Sequence, residues 1–265
     1  MLFFPLLNIY KNYQSSTTIY NFAPNSFEPS PKKTQFANIS FTDGENWTTV
    51  CIDELKYGDF RKYSYEDCYS YIGKDSLYLI SLSEKPINII RSNLHKIEFD
   101  EHISNTPQWR ASIFLGLKRS DAQTRYQGEV NLFPTKASLL TFGYMCEDNE
   151  DQDISLVLLN AEADAKQRLA KIKVYSIKTH DLVFESEIYS NQANIISLNS
   201  IKSYFKEGVV FISNDMSGVP IFLKSNEENS FIEMEHTHPP ASLITYGDRF
   251  HFQGWLKKNY FSIYD

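Results

Sequence analysis

Hydrophobic and polar residues alternate in short runs along most of this 265-residue chain, and a period of two residues predicts β-strands. Clear runs are 77–82, 109–117 and 182–188, each bounded by turn-forming residues. Each half of the chain has about seven or eight runs, a spacing typical of β-sandwiches. We therefore predict an all-β protein built of two β-sandwich domains of the jelly-roll or Ig-like kind, with one large sandwich as the alternative.

Several elements can be predicted individually. A hairpin is predicted from 39–41 and 47–52 around Asp43 and Gly44, and a second from 171–176 and 182–188 with His180 at its tip. The runs 109–117, 125–132 and 138–145 predict a three-stranded meander. The alanine-rich segment 161–170 predicts one or two helical turns.

Changes in composition predict the domain boundaries. Residues 1–35, with Pro24, Pro29 and Pro31, predict an extended N-terminal arm. The acidic stretch 146–153 predicts a linker, which gives β-sandwich domains at 36–150 and 151–265. Beyond Gly247 the period changes, and a short C-terminal helix that includes Trp255 is predicted.

Charge and composition limit the partners. The chain is 42% hydrophobic with 19 Phe and 17 Tyr, and its formal net charge is −7. No block of Lys and Arg is longer than a pair, so nucleic acid is not expected as a partner. No run approaches the 18 or so apolar residues that span a membrane, so a membrane is not expected either.

The cysteines and the N-terminus bear on the compartment. Cys51, Cys68 and Cys146 are widely spaced, which fits reduced thiols better than a disulfide framework or a zinc motif. The apolar first residues have no basic region before them and no small-residue cleavage site after them. These features predict a cytoplasmic protein, and they leave the oligomeric state open.

The most chemically specific segment is 231–248, where a strand carrying His236 and His238 ends at Pro239. Side chains two residues apart share one face of a strand, so the pair could chelate a divalent transition metal if a third ligand is supplied. The alternative is two neutral imidazoles that are hydrogen-bonded where the strand leaves the core. Glu235 lies on the opposite face and is the candidate helper for acid–base chemistry.

Nucleotide-binding and hydrolase motifs are absent from the sequence. The first hypothesis is therefore a non-catalytic binding or structural module that recognises a glycan or a protein partner through aromatic side chains. Trp109 and Tyr126 are its candidate ligand-binding residues, with Tyr63 and Tyr65 beside them. The alternative is a metal-dependent or acid–base enzyme acting on a small sugar-like substrate, with His236, His238 and Glu235 as catalytic residues.

Overall fold

A computed structural model describes residues 3–7, 13–21, 34–68, 77–94, 111–126, 130, 132–143, 151–226, 228, 231–236, 255, 258, 259 and 262. The described residues form four antiparallel sheets, which confirms the predicted all-β class. The chain divides into two compact units. Unit 1 comprises Met1–Leu132, Ala161–Gln167 and Asn191–Ala193, and unit 2 comprises Phe133–Asn160, Arg168–Ser190 and Asn194–Asp265.

The described residues of unit 1 form two sheets and one helical turn. The first sheet has the order β1-β6-β3-β4-β7, and the second has the order β5-β2-β8-β9. The elements are β1 Phe4–Leu6, β2 Tyr13–Tyr20, β3 Gln35–Thr42, β4 Trp47–Leu55, β5 Phe60–Ser64, α1 Tyr65–Cys68, β6 Tyr78–Ser83, β7 Asn88–Arg91, β8 Ala111–Leu117 and β9 Gln123–Tyr126.

Side chains of both sheets meet in the core of unit 1. Ile39 of β3 and Ile80 of β6 belong to the same buried cluster as Ile19 of β2 and Ala111 of β8, and all four are fully buried. Burying such aliphatic side chains contributes about 1.5–3 kcal/mol each, so this cluster holds the second sheet in place.

The predicted N-terminal arm contributes strands to both sheets of unit 1. β1 pairs with β6, and β2 lies between β5 and β8. Phe4 and Leu6 belong to the core cluster. The prolines on which the arm was predicted lie in 22–33, outside the described residues.

Segment 161–167 returns to unit 1 from the second half of the chain. The amide N–H of Leu94 donates to the carbonyl of Ala163 at 2.9 Å, and that of Ala165 donates to Ser92 at 2.9 Å. The predicted helical turns at 161–170 are wrong, because these backbone groups bond to other segments and the strand β12 begins at Leu169. Ala161 and Ala165 are fully buried, so their small size serves packing rather than helix formation.

Two further sheets are formed by the part of unit 2 that the structure describes. The third sheet has the order β10-β15-β12-β13, and the fourth has the order β14-β11-β16-β17. The strands are β10 Leu139–Phe142, β11 Asp153–Leu159, β12 Leu169–Ser176, β13 Leu182–Tyr189, β14 Ala193–Ser197, β15 Val209–Ser213, β16 Val219–Asn226 and β17 Phe231–His236, with a 3₁₀ segment at Asn199–Glu207.

One buried cluster fills unit 2. It joins Ile172 and Phe211 of the third sheet to Leu156 and Phe222 of the fourth, with Phe205 of the 3₁₀ segment beside them. The rings of Phe211 and Phe222 meet edge to face with centroids 5.4 Å apart. Such an aromatic pair contributes about 0.5–1.5 kcal/mol to the free energy of unfolding, in addition to the contribution from burying the two rings.

Both predicted hairpins are present, but the predicted meander is wrong. β3 pairs with β4, and β12 pairs with β13. β8 and β9 pair as expected, whereas β10 lies in the third sheet and pairs with β15. The predicted domain boundary at residue 150 stays a prediction, since 144–150 lie outside the described residues. In the tail, the described residues Trp255, Lys258, Asn259 and Ser262 are helical, as predicted.

Candidate functional site

The second sheet has one buried face and one exposed face. Ile19, Ile113 and Leu115 point into the core and are fully buried. The alternate residues of the same strands point the other way, because neighbouring side chains on a strand lie on opposite faces. We call this exposed surface the open face, and its most prominent side chains are those of Tyr20, Phe60, Lys62, Phe114 and Arg125.

Two exposed aromatic rings form a pair at one end of the open face. Tyr20 of β2 lies directly opposite Phe60 of β5 in the strand register. Their ring centroids are 6.0 Å apart with an angle of 33° between the ring planes. Phe60 is 61% exposed and Tyr20 is 36% exposed, so neither ring contributes much to the core.

A third ring lies towards the middle of the open face. Phe114 of β8 is half-buried, and the ammonium nitrogen of Lys62 lies 5.0 Å from the centre of its ring. Gly116 leaves room for this ring, because a Cβ atom at that position would lie 2.9 Å from the Phe114 Cζ atom. Arg125 of β9 lies directly opposite Phe114 and is exposed. The ring therefore has a cation on a strand to each side of it.

The hydroxyl groups of β2 differ between the two faces. On the core side, Ser15 donates to the carbonyl of Leu7, and Thr17 donates to the carbonyl of Pro5 at 2.7 Å. On the open face, Ser16 lies opposite Phe114, and its buried hydroxyl oxygen has no hydrogen-bond partner within the described part of the chain. A buried hydroxyl without a partner costs about 1–3 kcal/mol, and because this one is covered by its neighbours it is not part of the surface that a ligand can reach.

A second polar cluster lies where β4 and β5 approach each other. The Arg61 side chain donates to the Asp53 carboxylate at 3.0 Å, and the Tyr63 hydroxyl donates to the same oxygen at 3.4 Å. Burial raises the pKa of the Tyr63 hydroxyl, and the negative charge of Asp53 raises it further. Burial also raises the pKa of the Cys51 thiol. Both groups stay protonated near neutral pH, so neither is activated as a nucleophile or a base.

The three predicted aromatic contacts that lie within the described residues are not on the open face. Tyr126 lies opposite Ile113, on the core side of the second sheet, and is half-buried. Tyr63 lies on the same side at the other edge, and the ring of Tyr65 packs edge to face on Tyr78 with centroids 5.4 Å apart. Trp109 lies outside the described residues.

The predicted histidine site falls at the end of β17, an edge strand of the fourth sheet. His236 is the last residue of the strand and pairs with Ile221, while half-buried Glu235 pairs with Phe222. Neighbouring Glu233 lies 3.5 Å from the ammonium group of Lys224. His238 and the side chain of His236 lie outside the described residues, so the predicted metal and acid–base roles stay predictions.

No group of three or more His, Cys, Asp or Glu side chains suited to a metal ion occurs within the described ranges. Those ranges also contain no helix that is both long and apolar enough to cross a membrane. The cytoplasmic location stays a prediction.

Tyr20, Phe60, Lys62 and Phe114 were not predicted as a group. In β8 the outward positions alternate with apolar inward ones, and this alternation was the available signal. In β2 the inward residues Ser15 and Thr17 are polar, so the alternation there is weak. The pairing of β2 with both β5 and β8 joins segments that are far apart in the chain, and sequence spacing does not reveal it.

Comparison with known proteins gives no relative. No family model matches the chain, and no curated protein and no solved structure matches it.

Proposed function

We propose that the protein is a non-catalytic binding module that holds a glycan on the open face of the second sheet. The observation that carries this proposal is the exposed Tyr20–Phe60 ring pair, which lies on the same face of the sheet as Phe114. Large exposed aromatic side chains on a rigid sheet offer contact area that loses little conformational entropy when a ligand binds.

The chemistry of the open face matches that of a sugar. The C–H faces of a sugar ring are apolar and pack on aromatic rings, while its hydroxyls need hydrogen-bonding partners. Thr18 and Ser112 lie between the Tyr20–Phe60 pair and Phe114 in the strand register, and Gln123 lies beyond Phe114, so polar groups alternate with apolar ones across the surface. This mixed surface fits a protein partner less well, because stable protein interfaces bury about 800 Å² on each partner around a continuous packed centre.

The scaffold supports such a role. We infer that the first and second sheets form a β-sandwich, because Ile19 and Ala111 of one sheet share a core cluster with Ile39 and Ile80 of the other. A packed core resists deformation, so it keeps the rings of the open face in fixed positions. A preorganised surface of this kind binds more tightly than a flexible one.

A glycan array followed by calorimetric titration tests the proposal. We expect the wild-type protein to bind at least one class of glycan and to return it chemically unchanged, as judged by mass spectrometry. Each aromatic ring contributes about 1 kcal/mol, so the double variant Tyr20→Ala with Phe60→Ala should bind about thirtyfold more weakly.

The matched control changes two exposed hydrophobic residues of unit 2, Tyr204→Ala with Leu182→Ala, which are 39% and 50% exposed. This control should bind as the wild type does, and all three proteins should share one thermal midpoint within a few degrees. Absence of binding to every glycan, or undiminished binding by the Tyr20 and Phe60 variant, would overturn the proposal.

A further inference from the structure

We infer that the glycan is acidic, carrying carboxylate or sulfate groups, and that Lys62 and Arg125 recognise its negative charge. This inference rests on the proposed function and specifies the ligand class for the same surface. It is carried by the position of two exposed cations on either side of Phe114.

The charged side chains on the open face are all cationic. The outward positions of β5, β2, β8 and β9 contain Lys62 and Arg125 but no aspartate or glutamate. Some cations elsewhere in the described chain have carboxylate partners, as in Arg61 with Asp53 at 3.0 Å and Lys171 with Glu185 at 2.7 Å. Among the described residues, neither Lys62 nor Arg125 has such a partner.

The Lys62 side chain is held in place over the sheet. Its ammonium group lies 5.0 Å from the Phe114 ring centre, a cation–π contact that restrains the long side chain over the sheet. A cation held in this way loses less rotamer entropy when it meets an anion than a free lysine does. The same ring offers its remaining surface to a sugar, so charge recognition and stacking occur at one place.

The chain as a whole is acidic, in contrast to the open face. The formal net charge is −7, so an anion approaching most of the surface is repelled. Two unpaired cations on one face therefore give an acidic ligand a preferred direction of approach. Arg125 can also hold a carboxylate or a sulfate through two parallel N–H···O bonds.

A nucleic acid is also anionic and also stacks on aromatic rings. Its affinity depends on several Lys and Arg side chains that follow the phosphates. The outward positions of the four strands supply only two. An acidic glycan needs fewer charge contacts, and two cations on either side of one ring can supply them.

The test uses the full-length protein and matched glycan pairs, namely sialyllactose with lactose and oligogalacturonate with its methyl ester, together with a sulfated glycan. At an ionic strength of about 0.05 M we expect the acidic member of at least one pair to bind about tenfold more tightly. Raising the ionic strength to about 0.5 M should remove most of that preference.

The decisive variant is Lys62→Gln with Arg125→Gln. It should lose the preference for acidic glycans, measured as the ratio of the affinities for the acidic and the neutral member of the same pair. The control Lys136→Gln with Lys173→Gln removes the same charge at two exposed positions of unit 2 and should keep the preference. The variant Lys62→Arg keeps the positive charge and should therefore also keep the preference for acidic glycans.

The outcomes separate the two proposals. If the wild type binds neutral and acidic members equally, the charge inference is overturned and the glycan-binding function stands. If it binds no glycan at all, the proposed function is overturned. If it binds a thymidine oligonucleotide more tightly than every glycan, and does so through Lys62 and Arg125, the partner is single-stranded nucleic acid and both proposals are overturned.

Discussion

The ammonium group of Lys62 lies over the ring of Phe114, although the two residues are on strands that are not neighbours in the sheet. The strand β2 runs between them, so the lysine side chain crosses the backbone of β2 to reach the ring. This contact links the edge strand β5 to the inner strand β8. It also makes the position of the Phe114 ring measurable, because a ring shifts the resonances of protons that lie over its face.

Gly116→Ala should displace that ring. The added Cβ would lie 2.9 Å from the Phe114 Cζ atom and 3.3 Å from Cε1, and the ring can swing towards solvent because it is half-buried. We expect a loss of less than about 1 kcal/mol in the free energy of unfolding. The upfield NMR shift of the Lys62 side-chain protons should decrease, and Phe114→Leu should abolish it. An unchanged shift in Gly116→Ala would contradict this account of the open face.

Asn191 should be one of the most sensitive polar positions in unit 1. Its side-chain oxygen accepts from the amide N–H of Glu162 at 2.7 Å, and its side-chain nitrogen donates to the carbonyl of Asp164 at 2.9 Å. Asn191 is buried and has a left-handed backbone with φ of 59°. Asn191→Gly keeps that backbone accessible and removes the hydrogen bonds, so we expect a loss of about 2–3 kcal/mol in urea unfolding.

The control for Asn191 is Lys136→Gly. Lys136 also has a left-handed backbone, with φ of 65°, but it is exposed. The free energy of unfolding should change by less than about 0.5 kcal/mol there. Equal losses at both positions would show that backbone freedom, rather than hydrogen bonding, determines the effect.

Asp43 should make the stability of unit 1 depend on pH in the acidic range. Hydrogen bonds from the backbone N–H groups of Asn46 at 2.7 Å and Glu45 at 2.9 Å hold the pKa of Asp43 below its ordinary value. The folded state therefore favours the carboxylate. Its contribution is present above the ordinary pKa of about 3.9 and is lost as the pH falls through the lower pKa of the folded state.

The variant Asp43→Asn tests this pH dependence. Because Asp43 is exposed to solvent, we expect it to be less stable than the wild type by only about 0.5–1 kcal/mol at neutral pH. The difference should shrink towards zero near pH 2, as measured by urea unfolding at several pH values. A difference that stays constant with pH would exclude the carboxylate as its source.

The predicted chelate at His236 and His238 has a separate test. Elemental analysis of protein purified without a histidine tag should show about one transition metal per chain if the pair binds a metal. The double variant His236→Ala with His238→Ala should then abolish it. If the purified protein contains no metal and the double variant has the same thermal midpoint as the wild type, then the two histidines have neither a metal-binding nor a structural role.

Local patterns predicted the strands well, because a strand's alternation and its turn residues are close together in sequence. The β3–β4 hairpin is an example, since Asp43 and the left-handed Gly44 specify its turn. The partners of strands depend on the whole chain. This is why β10 was predicted beside β9 when it pairs with β15, and why the open face was missed.

The candidate residues show the same limit. Trp109 and Tyr126 were selected because they are aromatic and lie near strands, but residue type does not say which face of a sheet a side chain occupies. Tyr126 lies on the core side, opposite Ile113. Phe60 begins a short strand after a turn, and only the pairing of β5 with β2 places it beside Tyr20.

Unit 1 is completed by Ala161–Gln167 and Asn191–Ala193, which follow Leu132 by up to about 60 residues. Ribosomes add about 5–20 residues per second, so several seconds separate the synthesis of its main part from that of its last contacts. During that interval the backbone carbonyls and amides that later bond to these two short segments are exposed to water or to chaperones. The nascent chain therefore finishes its first unit only while the second is already emerging.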